Sequence, residues 1–273
     1  MSEELLVRDR TMRDTVITAR GLSKIYKSKR EGLVEALAPT DFTVKRGEFI
    51  CLVGPSGCGK STLLKILAGI IPQSGGDFQI HHDARKKINC DVGLVFQAPV
   101  LLPWRTVIEN TMLPAEVLEM DLGHARERAS DLLRMVGLNG FETSYPGELS
   151  GGMQQRCAIT RALLHDPSLL LMDEPFGALD AMTRDTMNLE LQRIWAESGK
   201  TIFLITHSIP EAVFLADRIF VMSPRPGRVV DEIRPELPRP RGLRSTTTPE
   251  FGAAVRRIRE LLGLEAGDRP YVD

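Results

Sequence analysis

The sequence lacks the features that mark secreted, membrane-spanning and nucleic-acid-binding chains. No apolar run approaches the roughly 18 residues that a membrane-spanning helix needs, and the acidic N-terminus has no apolar core of the kind that a secretory signal requires. Basic and acidic residues nearly balance, at 35 against 36, whereas a dedicated nucleic-acid binder usually carries a basic excess. We therefore expect any association with a membrane to be peripheral.

The sequence is also poor in cysteine, and the four cysteines show no paired spacing of the kind that binds a metal. Cys51 lies in a hydrophobic run, and Cys58 lies in a glycine-rich loop where a disulfide would obstruct a ligand. Together with Cys90 and Cys157, they are predicted to be reduced thiols of a cytoplasmic protein.

Apolar runs of strand length alternate with amphipathic segments of helical period along most of the chain. The predicted strands lie at 15–20, 49–53, 92–96, 168–172, 201–205 and 219–222. The predicted helices lie at 60–68, 122–136, 150–164, 182–197 and 208–216. Such an alternation predicts an α/β fold with a mostly parallel sheet, whose strands are apolar throughout because helices cover both faces.

The two ends of the chain have a different composition from the rest. Residues 1–14 are charged and are predicted to form a flexible N-terminus. Residues 223–273 form a tail whose first part, 223–248, is rich in proline and arginine and is predicted to be extended. A short final helix is predicted at about 249–262.

Residues 54–62, GPSGCGKST, match the G-x-x-x-x-G-K-[ST] pattern of a phosphate-binding loop between a strand and a helix. Glycines let backbone N–H groups converge on phosphates, and the helix N-terminus adds a positive dipole end. Lys60 is predicted to reach the β- and γ-phosphates, and the Ser61 hydroxyl to bind Mg²⁺. The nucleotide contacts are expected from Gly54, Pro55, Ser56, Gly57, Cys58, Gly59, Lys60, Ser61 and Thr62.

Two carboxylates follow the apolar run at 168–172 in the stretch SLLLMDEP. Asp173 would emerge at the end of a central strand, beside the phosphate loop, where a carboxylate holds Mg²⁺ through water. Glu174 is predicted to polarise the attacking water as a general base. The alternative role for Glu174, a surface acid that caps a turn before Pro175, is weaker because Asp173 is its neighbour.

A second glycine turn lies in ELSGGMQQR, residues 148–156. Ser150 begins a predicted helix, and Gly151 and Gly152 leave its first turn open to close approach by an anion. Two complete phosphate-binding turns of one chain cannot both enclose the same γ-phosphate from the same side. We therefore predict that this turn serves a nucleotide held by another copy of the chain.

These motifs, taken in order with ALD and with a histidine after a strand, resemble those of the ATP-binding cassette (ABC) ATPases over residues 15–222. The resemblance implies a P-loop NTPase core with an antiparallel β subdomain and an α-helical signature subdomain at about 98–164. It also implies binding of ATP and Mg²⁺ in a head-to-tail dimer, in which each signature turn caps the ATP of the other copy. Every motif is intact, which favours two identical copies, and one copy paired with a relative stays an alternative.

The resemblance assigns roles to four further residues. Tyr26 matches the aromatic that stacks on adenine, although a structural tyrosine on a hairpin stays an alternative. Gln97 matches the glutamine that contacts Mg²⁺ and senses the γ-phosphate, and Asp180 matches the aspartate that couples the two sites. His207 matches the switch histidine, which contacts the γ-phosphate and orients water. The implied catalytic set is Glu174, His207 and Lys60, and the implied metal set is Ser61, Gln97 and Asp173.

The segment 95–117 matches the groove that receives a short helix of the membrane subunit in transporters. Trp104 and Arg105 suit such an interface, and packing of Trp104 against the helical subdomain is the alternative. LLPWRTVIEN, DEPFGALDAMTR, EAVFLADRI and SPRPGR resemble the ATPase subunits of bacterial importers for nitrate, sulfonates and taurine. This implies two permease subunits, an extracytoplasmic solute-binding protein, a position on the cytoplasmic face of the membrane and no nucleic-acid partner.

Departures from the family pattern are modest and leave the turnover rate open. Ser208 stands where aspartate is common, Thr160 replaces an alanine of the signature helix, and Met153 stands where many cassettes have glutamine. The 66 residues after His207 are too few for the large regulatory domain that some importer ATPases carry, so none is expected.

Two other classes of protein remain as alternatives. A soluble ABC ATPase acting on nucleic acid or ribosomes usually carries a long coiled coil or two cassettes, and this chain shows neither. A P-loop kinase or GTPase would leave the LSGGM turn without a role, and the guanine-specifying N-K-x-D motif is absent.

Overall fold

A computed structural model describes residues 14–28, 32–81, 91–177 and 179–264 of the 273-residue chain. Nearly all of the predicted flexible N-terminus, the last residues of the tail and Cys90 lie outside the described residues. The described strands are β1 (Thr15–Ser28), β2 (Gly32–Lys45), β3 (Phe49–Val53), β4 (Gly75–Ile80), β5 (Val92–Val95), β6 (Leu169–Asp173), β7 (Thr201–Ile205), β8 (Arg218–Met222) and β9 (Val229–Ile233). The helices are α1 (Lys60–Leu67), α2 (Val107–Val117), α3 (Leu122–Met135), α4 (Gly151–Leu163), α5 (Ala181–Ser198), α6 (Ile209–Leu215) and α7 (Pro249–Leu261).

The larger sheet has six strands in the order β5-β6-β7-β3-β8-β9. All neighbours are parallel except β8 and β9, which are antiparallel. β3, β7 and β8 are buried at every position, as their mainly apolar sequences predict for strands covered on both faces. The predicted mostly parallel sheet is confirmed.

Alternate residues of the central strands enter two separate cores, because side chains along a strand point to opposite faces. Ile50 and Leu52 pack with α1 and with residues of the smaller sheet, whereas Cys51 and Val53 pack with the helices on the opposite face. Phe42 of β2 joins the first core through tilted ring contacts with Phe203 and Phe220. Both cores therefore anchor the same strand ends, where the predicted catalytic residues lie.

The smaller sheet is antiparallel, with the order β2-β1-β4, and confirms the predicted antiparallel β subdomain. The sequence predicted a strand only at 15–20, but β1 continues to Ser28 and pairs with β2 along its length. The missed part of β1 and the whole of β2 mix exposed residues with buried ones, and they are held by pairing within the hairpin and by buried side chains such as Leu37 and Phe42.

Helices α2, α3 and α4 pack together and confirm a helical subdomain beside the sheet. All six predicted helices begin and end within one residue of the observed bounds. The sequence did not predict α2, although its start carries a recognisable signal. The Thr106 hydroxyl accepts from the Glu109 amide and the Glu109 carboxylate accepts from the Thr106 amide, which forms a capping box.

The tail after residue 222 continues the fold. The turn at 223–228 leads into β9, which adds an antiparallel strand to the edge of the main sheet. A short 3-10 turn (Leu243–Thr247) and then α7 follow, with Phe251 and Ile258 buried against the helical core. Within the described part of the chain, no helix has the length and apolar character needed to cross a lipid bilayer.

Candidate functional site

The phosphate loop, residues 54–62, connects β3 to α1 at the carboxyl end of the parallel sheet. Gly57 and Gly59 have φ values of +74° and +104°, which side-chain-bearing residues rarely adopt. A Cβ on Gly59 would lie 2.4 Å from the carbonyl oxygen of Ala36. Glycine at this position is therefore required both by the backbone conformation and by the close approach of β2.

The first turn of α1 is open to an anion. Gly59 occupies the N-cap position, and no side chain caps the helix there. The unpaired amides and the positive end of the helix dipole therefore face the loop, as anion binding at a helix N-terminus requires.

Lys60 lies across the inside of the loop. Its Nζ donates to the carbonyl oxygens of Gly54, at 2.8 Å, and of Pro55, at 3.0 Å. The side chain is buried, with 6% of its surface exposed. The backbone carbonyls thus hold the ammonium group inside the loop, and its contact with phosphate stays a prediction.

Asp173 ends β6 beside the start of α1. The Ser61 hydroxyl donates to Asp173 Oδ1 at 3.1 Å, so the two predicted metal ligands lie together. Burial raises the pKa of Asp173, the hydrogen bond from Ser61 opposes this, and the neighbouring Glu174 charge raises the pKa further. An added cation would relieve the cost of this partly buried carboxylate.

Glu174 and His207 face each other at the ends of two adjacent strands, β6 and β7. Glu174 Oε2 lies 3.1 Å from His207 Nδ1. Glu174 has a positive φ of 45°, and its amide donates to the carbonyl of Ile205, which ties its backbone to β7. A non-glycine residue held in this strained region supports a functional role at this position.

Gln97 and His207 converge on Gly177. A Cβ built on Gly177 would lie 3.4 Å from Gln97 Nε2 and 3.6 Å from His207 Cε1. The Gly177 amide also donates to the Glu174 carbonyl at 3.1 Å. Gly177 was not predicted as a site residue, although its place between Glu174 and ALD in the motif DEPFGALD could have indicated it.

The signature turn lies at the start of α4, where the Ser150 hydroxyl accepts from the Met153 amide at 3.3 Å. A Cβ on Gly151 would lie 3.5 Å from Leu179, and one on Gly152 would lie 3.2 Å from Thr183. The turn therefore packs against the start of α5. These contacts group Ser150, Gly151 and Gly152 with the Asp180 loop, whereas the predicted catalytic residues lie at the strand ends.

Asp180 caps α5. Its carboxylate accepts from the Thr183 amide at 3.0 Å and from the Thr183 hydroxyl at 2.7 Å, and the hydrogen bond from the Thr183 backbone is the main cause of its lowered pKa. The side chain predicted to couple two sites thus also fixes the start of a long helix.

Tyr26 lies on β1 with 39% of its surface exposed, and Lys24 Nζ lies 5.3 Å from the centre of its ring. Among the described residues, no hydrogen bond or ring contact joins Tyr26 to the phosphate loop. Its predicted stacking on adenine stays a prediction.

Sequence reasoning missed the residue that supports the phosphate loop from behind. A Cβ on Gly227 would lie 1.8 Å from the carbonyl oxygen of Cys58, and the Gly227 carbonyl accepts from the Ala38 amide at 2.9 Å. The motif SPRPGR contains this glycine, but only the folded chain brings it against the loop.

Comparison with known proteins identifies relatives over most of the chain. The family model described as ABC transporter matches residues 37–177, just over half of the chain. An aliphatic sulfonates import ATP-binding protein of Bacillus cereus is 43% identical over 239 residues, which cover 88% of this chain and 94% of the relative. A taurine import ATP-binding protein of Burkholderia pseudomallei is 47% identical over 216 residues, which cover 78% of this chain and 82% of the relative.

Solved structures agree with these relatives. A dimeric ATP-binding cassette in a post-hydrolysis state, bound to ADP and Pi, is similar with a TM-score of 0.68 and 34% identity. The match covers 80% of this chain and 98% of that chain.

Proposed function

Because this chain belongs to the ABC transporter family, we propose that it is the ATP-hydrolysing subunit of a bacterial importer for a small solute of the nitrate, sulfonate or taurine type. The observation that carries the proposal is the grouping of Lys60, Ser61, Asp173, Glu174 and His207 at one end of the parallel sheet. The names of the relatives support import of sulfonates or taurine in particular.

ATP would bind with its phosphates in the loop at 54–62. The open N-terminus of α1 and the buried Lys60 ammonium supply the positive field that the phosphates need. Tyr26 is proposed to stack on adenine from the exposed face of β1.

The residues at the loop fit Mg²⁺, which prefers oxygen ligands. The Ser61 hydroxyl and the Asp173 carboxylate lie 3.1 Å apart, and Gln97 is proposed to join them. Among the described residues, no group of three or more His, Cys, Asp or Glu side chains could hold a metal ion, so phosphate oxygens and water would complete the coordination. When bound, Mg²⁺ would offset the negative charge of the β- and γ-phosphates.

Glu174 is proposed to take a proton from the attacking water. His207 Nδ1 lies within hydrogen-bond distance of Glu174 Oε2 and would orient this carboxylate in the nucleotide-free protein. With ATP bound, His207 would contact the γ-phosphate. General-base assistance of this kind contributes about 10²- to 10⁴-fold to a rate.

We propose that a second, identical copy completes each site. Ser150 and Gly151 of the signature turn are exposed, whereas Gly152 is buried against the start of α5, so the exposed part of the turn would contact ATP held by a partner. The dimeric relative bound to ADP and Pi supports this arrangement. The free energy for transport would come from tighter binding of ATP to the closed dimer than to the open one.

An exposed apolar surface between 96 and 117 would receive the membrane subunits. Trp104 has 71% of its surface exposed, so packing of Trp104 against the helical subdomain, the alternative raised from the sequence, does not occur. Val100 and Val117 are exposed on the same segment, and Arg105 is paired with Glu116 at 2.8 Å. A large exposed aromatic with paired charges beside it suits a protein interface.

The partners proposed are two membrane-spanning permease subunits and an extracytoplasmic solute-binding protein, with this chain bound at the cytoplasmic face of the membrane. The alternative function, a soluble ABC ATPase acting on nucleic acid or ribosomes, is disfavoured because the relatives are import proteins and the charge is balanced.

Purification of the Glu174→Gln variant with Mg²⁺ and ATP from gently solubilised cells tests the function. The variant is expected to retain ATP and to bring a multi-span membrane protein in equal copy number. Lys60→Ala, which should bind ATP poorly, is the matched control for nucleotide-dependent assembly. Recovery with ribosomes or nucleic acid and without a membrane protein would overturn the importer proposal.

A further inference from the structure

Helix α6 follows His207 directly and is only seven residues long, from Ile209 to Leu215. The Ser208 hydroxyl caps its amino end by accepting from the Glu211 amide at 3.3 Å. So short a helix satisfies few of its own backbone groups and is marginal without tertiary support. Six of its seven residues are buried, so packing supports the helix along its length, and the carbonyls at its carboxyl end need partners from elsewhere in the fold.

Two tail arginines supply that support by donating to four consecutive carbonyl oxygens. Arg241 Nη1 donates to Ala216 at 2.7 Å and to Val213 and Phe214 at 3.1 Å each, and Arg239 Nη2 donates to Leu215 at 2.5 Å. Positive charge is favourable at the carboxyl end of a helix, where unpaired carbonyls concentrate negative charge. The Ala216 amide donates to the Ala212 carbonyl, and the tail supplies donors for the four carbonyls that follow it.

The two arginines are themselves anchored to α5. The Gln192 side chain accepts from the Arg241 amide at 2.9 Å and donates to the Arg241 carbonyl at 2.6 Å. The Arg239 guanidinium lies 4.1 Å from the centre of the Trp195 ring, and its Nε donates to Asp217 at 2.9 Å. These contacts join α5, α6 and the tail.

Arg241 is buried, with 3% of its surface exposed. Burial lowers its pKa to about 10, with the nearby Arg239 charge acting in the same direction, so it stays charged at neutral pH. Its Nη1 serves three carbonyls at the end of α6, while Nε and Nη2 each donate to the Leu237 carbonyl at 3.4 Å, and the single ammonium nitrogen of a lysine cannot take the places of all three guanidinium nitrogens.

We propose that Arg239 and Arg241 are positioning residues that hold His207 against Glu174 by binding the carboxyl end of α6. The rate of ATP hydrolysis then depends on the docked tail, although the tail contributes no group to the reaction. This role rests on the ATP hydrolysis proposed above. It links residues 239–241 to the catalytic pair through one short helix.

The test compares Arg241→Lys with Arg244→Lys, a matched control. Arg244 lies three residues further along the tail, is exposed, and its side chain donates no hydrogen bond to the residues that the structure describes. Arg241→Lys is expected to lower kcat about tenfold, the order that follows from loss of hydrogen bonds to a charged donor, and to leave the Kd for ATP unchanged. Arg244→Lys should leave both constants unchanged.

Two readouts in the nucleotide-free protein do not depend on activity. Amide hydrogen exchange in α6 should become faster in Arg241→Lys. The imidazole nitrogen resonances of His207 are assigned by their loss in His207→Gln. In Arg241→Lys they should shift towards the values that His207 has in Glu174→Gln, where the carboxylate partner is missing. Faster exchange in α6 with unchanged kcat would overturn the proposal. A parallel loss of ATP affinity and kcat would also overturn it, because such a loss indicates a general loss of structure.

An Arg239→Lys variant keeps the proposal testable if Arg241→Lys does not fold. It should lower kcat and accelerate exchange in α6 to a smaller extent, since Arg239 reaches only Leu215 of the four carbonyls. An unchanged kcat in a folded Arg239→Lys protein with a loosened α6 would overturn the proposal as well. A wild-type protein without ATPase activity would instead refute the proposed function.

Discussion

Glu174 Oε2 lies 3.1 Å from His207 Nδ1, across the carboxyl ends of two adjacent parallel strands. The contact joins a residue in strained backbone to the residue that precedes α6. It brings the proposed base and the proposed switch histidine into one hydrogen-bonded pair.

Replacement of Glu174 by glutamine should reduce kcat for ATP hydrolysis by at least about 100-fold, because the amide cannot take a proton from water. The Kd for ATP should stay unchanged or fall, since the phosphate loop is intact. Steady-state phosphate release and equilibrium nucleotide binding measure the two quantities. Glu236→Gln, on the exposed part of the tail, should behave as wild type. Retention of more than about a tenth of the wild-type kcat would refute the role of Glu174 as base.

Mixing two inactive variants tests whether the site is shared between copies. Lys60→Ala removes the proposed phosphate contact, and Ser150→Arg is designed to block the signature turn. In a head-to-tail pair of one copy of each, one site carries both defects and the other carries neither. The mixture should therefore regain single-turnover hydrolysis that each variant alone lacks. If each site belonged to one chain, mixing would restore no activity.

Gly227→Ala should weaken ATP binding, although Gly227 belongs to none of the predicted nucleotide-binding motifs. Its Cβ would lie 1.8 Å from the carbonyl oxygen of Cys58, so the turn at 223–228 or the phosphate loop must move. We expect a lower melting temperature and a Kd for ATP raised about tenfold, as forced overpacking costs about 1–3 kcal/mol. Gly242→Ala is the control, because nothing lies within 4 Å of its Cβ position. Equal ATP affinity in both variants would show that the loop does not need this support.

Glu211 should make stability depend on pH. Burial raises its pKa, against the hydrogen bond from Thr206 and the charges of Arg184 and His207, and Glu174 raises it further. Its Oε1 is buried without a hydrogen-bond partner among the described residues. A carboxyl with a raised folded pKa contributes its stability fully below the unfolded pKa, about 4.3, and loses it as the pH rises through the folded pKa.

The Glu211→Gln variant removes this titration. Relative to the variant, the wild type should lose free energy of unfolding as the pH rises from about 4 to 7. Urea unfolding of both proteins across this range measures the difference, and Glu250→Gln in the first turn of α7 is the control. A difference that is constant with pH would contradict the raised pKa.

Trp104→Ala should separate hydrolysis from transport. The ring is exposed and takes part in none of the contacts described for Lys60, Glu174 and His207, so ATPase activity of the isolated protein should stay within about twofold of wild type. Co-purification with the membrane subunits should be lost, since a central aromatic anchor contributes about 2 kcal/mol or more to an interface. Val230→Ala, an exposed apolar residue on β9, should retain the membrane subunits. Retention by Trp104→Ala would remove this face from the proposed interface.

The sequence alone predicted the elements whose signals are local. Strand–loop–helix order identified the phosphate loop, and the apolar runs with amphipathic helices indicated the parallel sheet and the six helices. Asp173 and Glu174 could be placed at the end of β6 because they directly follow its apolar run. They could be placed beside the phosphate loop because parallel strands end at a common edge. Helix α2 was missed because Pro114 and its mixed polarity obscure the helical period, although the capping box at Thr106 marks its start.

The tertiary structure decided which distant segments support the site. The antiparallel pairing of β9 with β8 brings Gly227 against Cys58, and the chain beyond it carries Arg239 and Arg241 to the end of α6. These contacts join residues far apart in the chain, and nothing in the local sequence encodes their distances. Sequence therefore determined the chemistry of the nucleotide site, because its groups lie in short motifs with local geometry. Folding determined how rigidly those groups are held, because rigidity comes from long-range packing.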